Sequence, residues 1–208
     1  MPIPPPLRTA LSEERLSTYR RAAGWDEARA LRLYLWNAEM GAAFLPLLGA
    51  AEVALRNAVE RRLAGAFGAD WWEAEPFLDL LGAPGAGTLR RAVRRVRTDG
   101  AVARGRLVAD LSFGFWATML AEKYDGLWSD PRASFPGLPD GVGRAGLDAA
   151  AQDVRALRNR VSHHEPLVRR DLSRDYGRAM DLLRWTAPEV AAWLRPELRV
   201  MRLLREKP

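Results

Sequence analysis

The rarest polar side chains of this sequence are concentrated in two short segments. The chain holds only three asparagines and two histidines. Asn57 and Asn159 each follow a Leu-Arg pair, and both histidines, His163 and His164, come just after the second pair in the segment LRNRVSHHEP. This clustering makes the two Leu-Arg-Asn segments the best candidates for chemistry.

Helical spacing places several of these side chains on one face. At about 100° per residue, Asn159 and His163 lie one turn apart, Arg155 extends the same polar ridge, and Arg158 lies beside it. Imidazole exchanges a proton near neutral pH, so His163 can serve the 2′-hydroxyl of a ribose or the leaving 5′-oxygen. The Arg158 guanidinium can neutralise charge on the reacting phosphate. This chemistry needs no metal and no other cofactor.

A structural role is the alternative for the same residues. A histidine at a helix end can hydrogen-bond the last carbonyls, and an arginine in the last turn complements the helix dipole. The i, i+4 spacing of Glu52, Arg56 and Glu60 is typical of a solvated ion-pair ladder. Because Leu55 and Val59 belong to an apolar stripe of the same helix, Glu52 and Arg56 are also expected at the edge of the core.

Composition limits the fold and the chemistry. The 208 residues include 34 Ala, 30 Leu and 30 Arg, which are strong helix formers, so the sequence predicts an all-α protein. The chain has no cysteine, which excludes disulfides, thiolate metal sites and a cysteine nucleophile. The net charge of +6 and the pI near 10.4 favour a polyanionic partner.

Stop and cap signals divide the first half of the chain into helices. Ser12 caps a helix that Gly24 ends, and Asp26 caps a second helix. Its predicted core face, with helical spacing, consists of Leu31, Leu35, Ala38, Ala42 and Leu45.

Proline and glycine predict where the following helices begin and end. Pro46 and Gly49 predict a break before a third helix that ends at Gly68. A connector then leads to the Gly/Pro-rich GAPGAG segment, and a basic helix spans 88–97.

The second half is predicted to hold four or five further helices. An apolar helix spans about 107–120, a long loop follows over 125–146, and a helix from about Leu147 ends by His164. The last helices are expected over 173–185, 186–194 and 196–205, with Thr186 and Glu189 as a capping box. We expect a flexible, extended proline-rich lead-in at 1–10 and one domain over 11–208. The start of the chain lacks a signal-peptide pattern and no apolar stretch approaches a membrane span, so we expect a cytoplasmic protein with no membrane contact.

Two other groups of residues could contact RNA. Exposed arginines on the basic helix could follow phosphates, although a solvated face is the favoured interpretation. Aromatic residues in the ADWW and FGFW segments could stack on bases, but their apolar spacing favours the core. The arginines are Arg90, Arg91, Arg94, Arg95 and Arg97.

Six segments carry a family resemblance that covers roughly residues 11–185 in matching order. They are LSEERLSTYRRAAG at 11–24, LYLWN at 33–37, EVALRNAV at 52–59, ADWW at 69–72, FGFW at 113–116 and LRNRVSHHEP at 157–166. Together they resemble the Abi-like family of bacterial abortive-infection proteins, part of the HEPN superfamily. The HEPN signature, Arg-x(4–6)-His with a polar residue after the arginine, is matched by Arg158, Asn159 and His163, and His164 also fits the spacing.

The resemblance implies an all-α, HEPN-like helical bundle with additional helices. It also implies a homodimer that joins two Arg/His motifs in one composite cleft, and metal-independent endoribonuclease activity or RNA binding in phage defence or toxin-like growth arrest. The essential pair of catalytic relatives corresponds to His163 and Arg158, with Asn159 as the orienting residue.

The resemblance extends to a second polar block and to further partners. Glu52, Arg56 and Asn57 match that block and are expected in the same cleft, and a small RNA or an antitoxin is a further expected partner. Since many HEPN proteins are non-catalytic, an RNA-binding or protein-interaction module is the alternative function, and a purely structural adaptor is a third.

Overall fold

The computed structural model describes residues 3–208, and over them the fold is all-α, as the composition predicts. The one β-pairing there joins Arg97–Thr98 (β1) antiparallel to Ala101–Val102 (β2). The helices are α1 Pro5–Leu11, α2 Glu13–Ala22, α3 Glu27–Phe67, α4 Glu75–Val96, α5 Arg104–Asp110, α6 Phe113–Thr118, α7 Arg144–Ser162, α8 Leu172–Thr186, α9 Pro188–Leu194 and α10 Val200–Arg205.

Helix α3 is the central element of the fold, and α2, α7, α8 and α10 pack against it. The caps predicted for α2 and α3 are confirmed. The Ser12 hydroxyl accepts from the backbone N–H of Arg15 at the start of α2, the Asp26 carboxylate accepts from that of Arg29 at 2.9 Å, and Gly68 ends α3 with φ 92°.

The predicted break at Pro46 and Gly49 is wrong, because α3 runs through both residues. A proline inside a helix leaves the carbonyl four residues earlier without its N–H donor. Here that carbonyl belongs to Ala42, and Ala42 and Pro46 are both exposed, so water can solvate it. Phe44 and Leu47, both fully buried, anchor the two sides of the interruption.

The predicted core face of the first half of α3 is also wrong. Leu35 is 63% exposed and Leu45 is 56% exposed, and Ala38 and Ala42 between them are exposed as well. The buried face lies around the helix from them, at Leu33, Trp36, Met40, Phe44 and Leu47. Both faces of this segment are apolar, so spacing alone could not select the one that packs.

Aromatic residues fill the centre of the core, as expected. Trp71 is fully buried and lies edge-on to Phe77 and Trp116, with ring centroids 5.6 and 6.0 Å apart. These contacts join the ADWW segment to the FGFW segment. The tryptophans of both segments are therefore core residues and do not form a base-stacking surface.

Two helix boundaries in the middle of the chain differ from the prediction. Helix α4 includes the GAPGAG segment, with one break at Gly82 (φ 70°), because Pro84 can begin a new helical turn just after it. The single helix predicted over 107–120 is two helices, since α5 ends at Asp110 and the Ser112 hydroxyl caps α6 by accepting from the Phe115 N–H.

The long loop over 125–146 packs onto the rest of the molecule. It contains 3-10 turns within 122–128 and 131–133, and Trp128 and Phe135 are buried with ring centroids 5.4 Å apart. The Trp128 indole N–H donates to the Met119 carbonyl at 2.7 Å, and the Gly137 N–H donates to that of Trp185 at 3.1 Å.

The start of the chain also differs from the prediction. The extended lead-in is wrong at Pro5 and Pro6, which begin α1, and Pro2 lies outside the described residues. Ile3 is buried, and its N–H donates to the Glu27 carboxylate.

The boundaries of the last helices differ for a local reason. The capping box is wrong because the Thr186 hydroxyl donates to the Leu182 carbonyl at 2.7 Å, and α9 begins after Ala187. A 3-10 turn at Arg195–Glu197 separates α9 from α10, so the helix predicted from Pro196 begins only at Val200.

Helix α3 is long and apolar enough to cross a membrane by length and composition. An 18-residue window within it has a mean hydropathy of 1.4, and 39% of that window is buried. The expectation that no segment approaches a membrane span is therefore wrong in those terms. The core helix of a soluble protein passes the same test.

Candidate functional site

The two Leu-Arg-Asn segments meet where α7 packs on the middle of α3. The Arg158 Nε lies 3.4 Å from a carboxylate oxygen of Glu52, which joins the second segment to the first. Arg56 follows Glu52 by one helical turn. This one polar contact at the edge of the core therefore joins two residues, Glu52 and Arg158, that lie about one hundred residues apart in the chain.

The two arginines of this cluster differ in their partners. The Arg158 side chain is 40% exposed and that of Glu52 is 22% exposed. A pair exposed to this degree contributes only about 0–1 kcal/mol, so a phosphate can compete for Arg158. Arg56 forms no ion pair within residues 3–208, and its Nε is buried without a hydrogen-bond partner. The exposed Asn57 and Asn159 make no side-chain hydrogen bond among the same residues.

The two histidines lie on the turn that ends α7. The His164 N–H donates to the Val161 carbonyl at 3.1 Å, and the Glu165 N–H donates to that of Arg160 at 2.8 Å. This is the Schellman arrangement, and its left-handed position is usually glycine. Here it is His164, with φ 53°. Both imidazoles are exposed, and neither hydrogen-bonds to another described residue.

The same turn is held by two residues that the sequence analysis did not single out as site residues. The Asn37 amide oxygen accepts from the Leu167 N–H at 2.6 Å, and Arg15 donates to the His164 carbonyl at 2.6 Å. Asn37, the third asparagine of the chain, is 7% exposed. Its place in the apolar LYLWN segment was an available signal, because a buried amide needs polar partners.

A cavity of about 380 Å³ opens between this turn, α2 and α3. His164 lines it and His163 does not. Segments from three regions of the family resemblance therefore surround one space. The lining also includes Arg15, Tyr19, Tyr34, Asn37, Ala42 and Ser162.

The remaining predicted RNA contacts lie apart from this cluster. The basic helix ends at Val96, so Arg90, Arg91, Arg94 and Arg95 lie in α4 and Arg97 lies in β1. All five are exposed, and none forms an ion pair or hydrogen bond to α3 or α7 within residues 3–208. Arg95 pairs with Asp110 at 2.5 Å and Arg97 with Glu73 at 2.6 Å, so two of the five guanidinium groups already have carboxylate partners. Arg155 lies over Gly114 of α6 and donates to Gln152 at 3.3 Å.

The described residues include no cluster of three or more histidine, aspartate or glutamate side chains that could hold a metal ion. Comparison of the chain with protein-family models, with curated proteins and with solved structures gave no match. The resemblance to Abi-like proteins therefore stays a prediction from the six segments.

Proposed function

We propose that the protein is a metal-independent endoribonuclease of the abortive-infection, HEPN-like kind, acting in the cytoplasm in phage defence or toxin-like growth arrest. The observation that carries the proposal is the contact between Arg158 and Glu52, with Arg56 one turn further along α3. It joins the first Leu-Arg-Asn segment to the second, and the turn that follows the second carries the exposed His163. A phosphodiester is the substrate class that such a set of groups recognises.

The proposed reaction is an internal transfer within the RNA strand. His163 takes the proton of a ribose 2′-hydroxyl, whose oxygen attacks the adjacent phosphorus while the bond to the 5′-oxygen breaks. The leaving 5′-oxygen then receives a proton from the protonated imidazole of His163. Arg158 exchanges Glu52 for the phosphate oxygens and stabilises their charge, and Asn159 positions the two groups. The products are a 2′,3′-cyclic phosphate and a 5′-hydroxyl.

A homodimer is part of this proposal. Leu35, Ala38, Ala42, Leu45 and Val53 form an exposed apolar stripe along α3, on the side of that helix that also carries Arg56. Three of them, Ala38, Ala42 and Leu45, also line the cavity beside His164, so the mouth of the cavity adjoins the proposed subunit contact. Monomeric proteins rarely leave a long apolar stripe in water, so a second copy is the partner that we propose for it. A small RNA or an antitoxin that controls the activity is a further proposed partner.

An RNA-binding or protein-interaction module without catalysis is the second candidate. It is favoured by the absence of a side-chain hydrogen bond to either imidazole among the described residues, since a catalytic histidine is ordinarily oriented by a partner. Such a module predicts intact RNA that copurifies with the protein and dissociates steeply with salt.

The test is RNA cleavage by purified protein in EDTA, with and without phage infection of the source cells. We expect products that end in a 2′,3′-cyclic phosphate, loss of cleavage in His163→Ala and Arg158→Ala, and retained cleavage in His164→Ala. If the unmodified protein cleaves no RNA under either condition, the enzymatic proposal is wrong. Cleavage that depends on His164 and not on His163 contradicts the assignment of the acid/base.

A further inference from the structure

The cavity beside His164 is lined by a tyrosine whose hydroxyl makes no hydrogen bond to the described residues. Tyr19 lines the cavity, is 1% exposed, and makes no hydrogen bond through its hydroxyl to any residue of 3–208. Burial raises the pKa of Tyr19 to about 12, and Arg15 opposes this shift. The hydroxyl is protonated at neutral pH, as for an ordinary tyrosine, and can donate one hydrogen bond.

The rest of the lining suits a flat, mostly apolar ring. Tyr34 stands edge-on to Tyr19 with ring centroids 5.2 Å apart, and small residues of α3 form the adjoining wall. Asn37 already makes two contacts to the backbone of residues 165–167, at 2.6 and 3.5 Å, which leaves one amide hydrogen free. Arg15 and Ser162 add polar groups to the same lining.

We propose that this cavity binds one unpaired base of the RNA strand and thereby sets the sequence preference of cleavage. The inference rests on the proposed function and extends it to substrate recognition. Apolar walls with a few polar groups are what a small-molecule pocket provides, and 380 Å³ lies toward the small end of such pockets. The Tyr19 hydroxyl and the free Asn37 amide hydrogen donate to the base edge, and Arg15 faces the attached phosphate.

The position of the cavity agrees with this assignment. His164 lines it, and His163 is the preceding residue on the same turn. A base held in the cavity would therefore belong to a nucleotide next to the reacting phosphate. RNA-binding proteins obtain sequence specificity in this way, by separating a base from its neighbours and contacting its edge.

The first experiment fills the cavity. Ala42→Phe places a large side chain on a lining position of α3 that also belongs to the exposed stripe, so the oligomeric state of this variant is measured alongside its cleavage. Ala66→Phe makes the same change at an exposed position of α3 outside the lining. We expect the unmodified protein to prefer one base next to the cut. We expect Ala42→Phe to reduce cleavage at that base at least about tenfold and to weaken the binding of the matching mononucleotide by a similar factor. We expect cleavage and mononucleotide binding by Ala66→Phe to equal those of the unmodified protein.

The second experiment removes only the unpartnered hydroxyl. Tyr19→Phe keeps the ring and the volume of the cavity. We expect it to lower the preference between bases several-fold while the melting temperature does not fall, because no protein hydrogen bond is lost. A variant with unchanged base preference contradicts the role of the hydroxyl.

The outcomes separate this inference from the proposed function. RNA cleavage with the same base preference in both variants overturns the inference and leaves the nuclease intact. Mononucleotide binding that depends on Ala42, in a protein that cleaves no RNA, supports the cavity and overturns the nuclease. Binding of free mononucleotides without any change in cleavage pattern overturns the assignment to the RNA strand. If Ala42→Phe changes only the oligomeric state, and neither the base preference nor mononucleotide binding, the cavity belongs to a subunit contact and the inference is wrong.

Discussion

At the scale of single residues, the two adjacent histidines occupy very different backbone positions. His163 is the C-cap residue of α7, with φ −94°, whereas the next residue, His164, has a left-handed backbone conformation with φ 53°. A left-handed backbone costs an ordinary residue about 1 kcal/mol more than glycine. The chain tolerates this cost beside a cavity, which is where local strain commonly has a functional reason.

The contrast between the histidines gives a matched prediction. His164→Gly should raise the free energy of unfolding by about 0.5–1 kcal/mol, because glycine adopts the left-handed position freely. His163→Gly should not raise it, since φ there is already negative. Urea unfolding of both variants measures the difference. If His164→Gly is the less stable variant, its imidazole makes a stabilising contact that the structure lacks.

Glu52 is predicted to restrain the binding of RNA. Glu52→Gln removes the carboxylate that pairs with Arg158, so we expect tighter RNA binding and a salt slope steeper by about one unit, with stability changed by less than about 1 kcal/mol. Glu206→Gln removes the same charge from the Arg202 pair on α10 and serves as the control. Anisotropy titrations at several salt concentrations compare them. Equal effects of the two variants would mean that only net charge matters.

At the scale of elements, one backbone contact fixes the long loop to α8. A Cβ at Gly137 would lie 2.1 Å from the Arg184 carbonyl oxygen, so no other residue fits without movement. We expect Gly137→Ala to lower the free energy of unfolding by about 1–3 kcal/mol. Gly126→Ala, where a Cβ meets nothing within 4 Å, is the control for the change in backbone freedom from glycine to alanine in the same loop. Comparable denaturation midpoints for the two variants would contradict the close approach.

Glu27 is predicted to hold the amino-terminal segment in a pH-dependent way. The Ile3 N–H, together with Arg8 and Arg20, lowers the pKa of Glu27 below its ordinary value near 4.5. Its contribution is therefore complete above that value and is lost as the pH falls through the lowered pKa. Glu27→Gln should expose residues 3–11 to hydrogen exchange already at pH 7.

Two comparisons check this prediction. Unmodified protein should lose protection of residues 3–11 only in acid. Glu14→Gln, at an exposed position of α2 without an ion pair among the described residues, should behave like the unmodified protein. Protection that is the same in all three proteins at pH 7 would show that Glu27 does not hold the segment.

At the scale of the whole molecule, the exposed stripe of α3 predicts the oligomeric state. Leu35→Glu places a charge on the stripe, and we expect it to convert a dimer to a monomer in sedimentation experiments because an unpaired charge is costly in an apolar interface. Val190→Glu changes an exposed valine on α9, 37% accessible, and should leave the dimer unchanged. An unmodified protein that is monomeric at all concentrations would rule out the proposed subunit contact.

The sequence predicted local features of the fold better than long-range ones. Ser12, Asp26 and Gly68 cap or end helices through contacts within a few residues, so their roles follow from residue type. The outcome at Pro46 and the choice of buried face on α3 depend on α8 and other distant helices, which local spacing does not contain. Long-range contacts also limited the prediction of the candidate site. The rarity of asparagine and histidine in this chain indicated the Leu-Arg-Asn segments, but the contacts of Asn37 with residues 165–167 arise only when the chain is folded.

The central position of α3 also has a consequence for biosynthesis. Its residues emerge from the ribosome early, whereas α7 and α8, which cover part of its apolar surface, are synthesised about one hundred residues later. Until then α2 covers one part of this 41-residue helix, and the apolar surface that α7 and α8 will cover is open to water and to other chains. The nascent protein is therefore expected to be a client of chaperones that bind apolar segments, and its yield should depend on them more than its final stability would indicate.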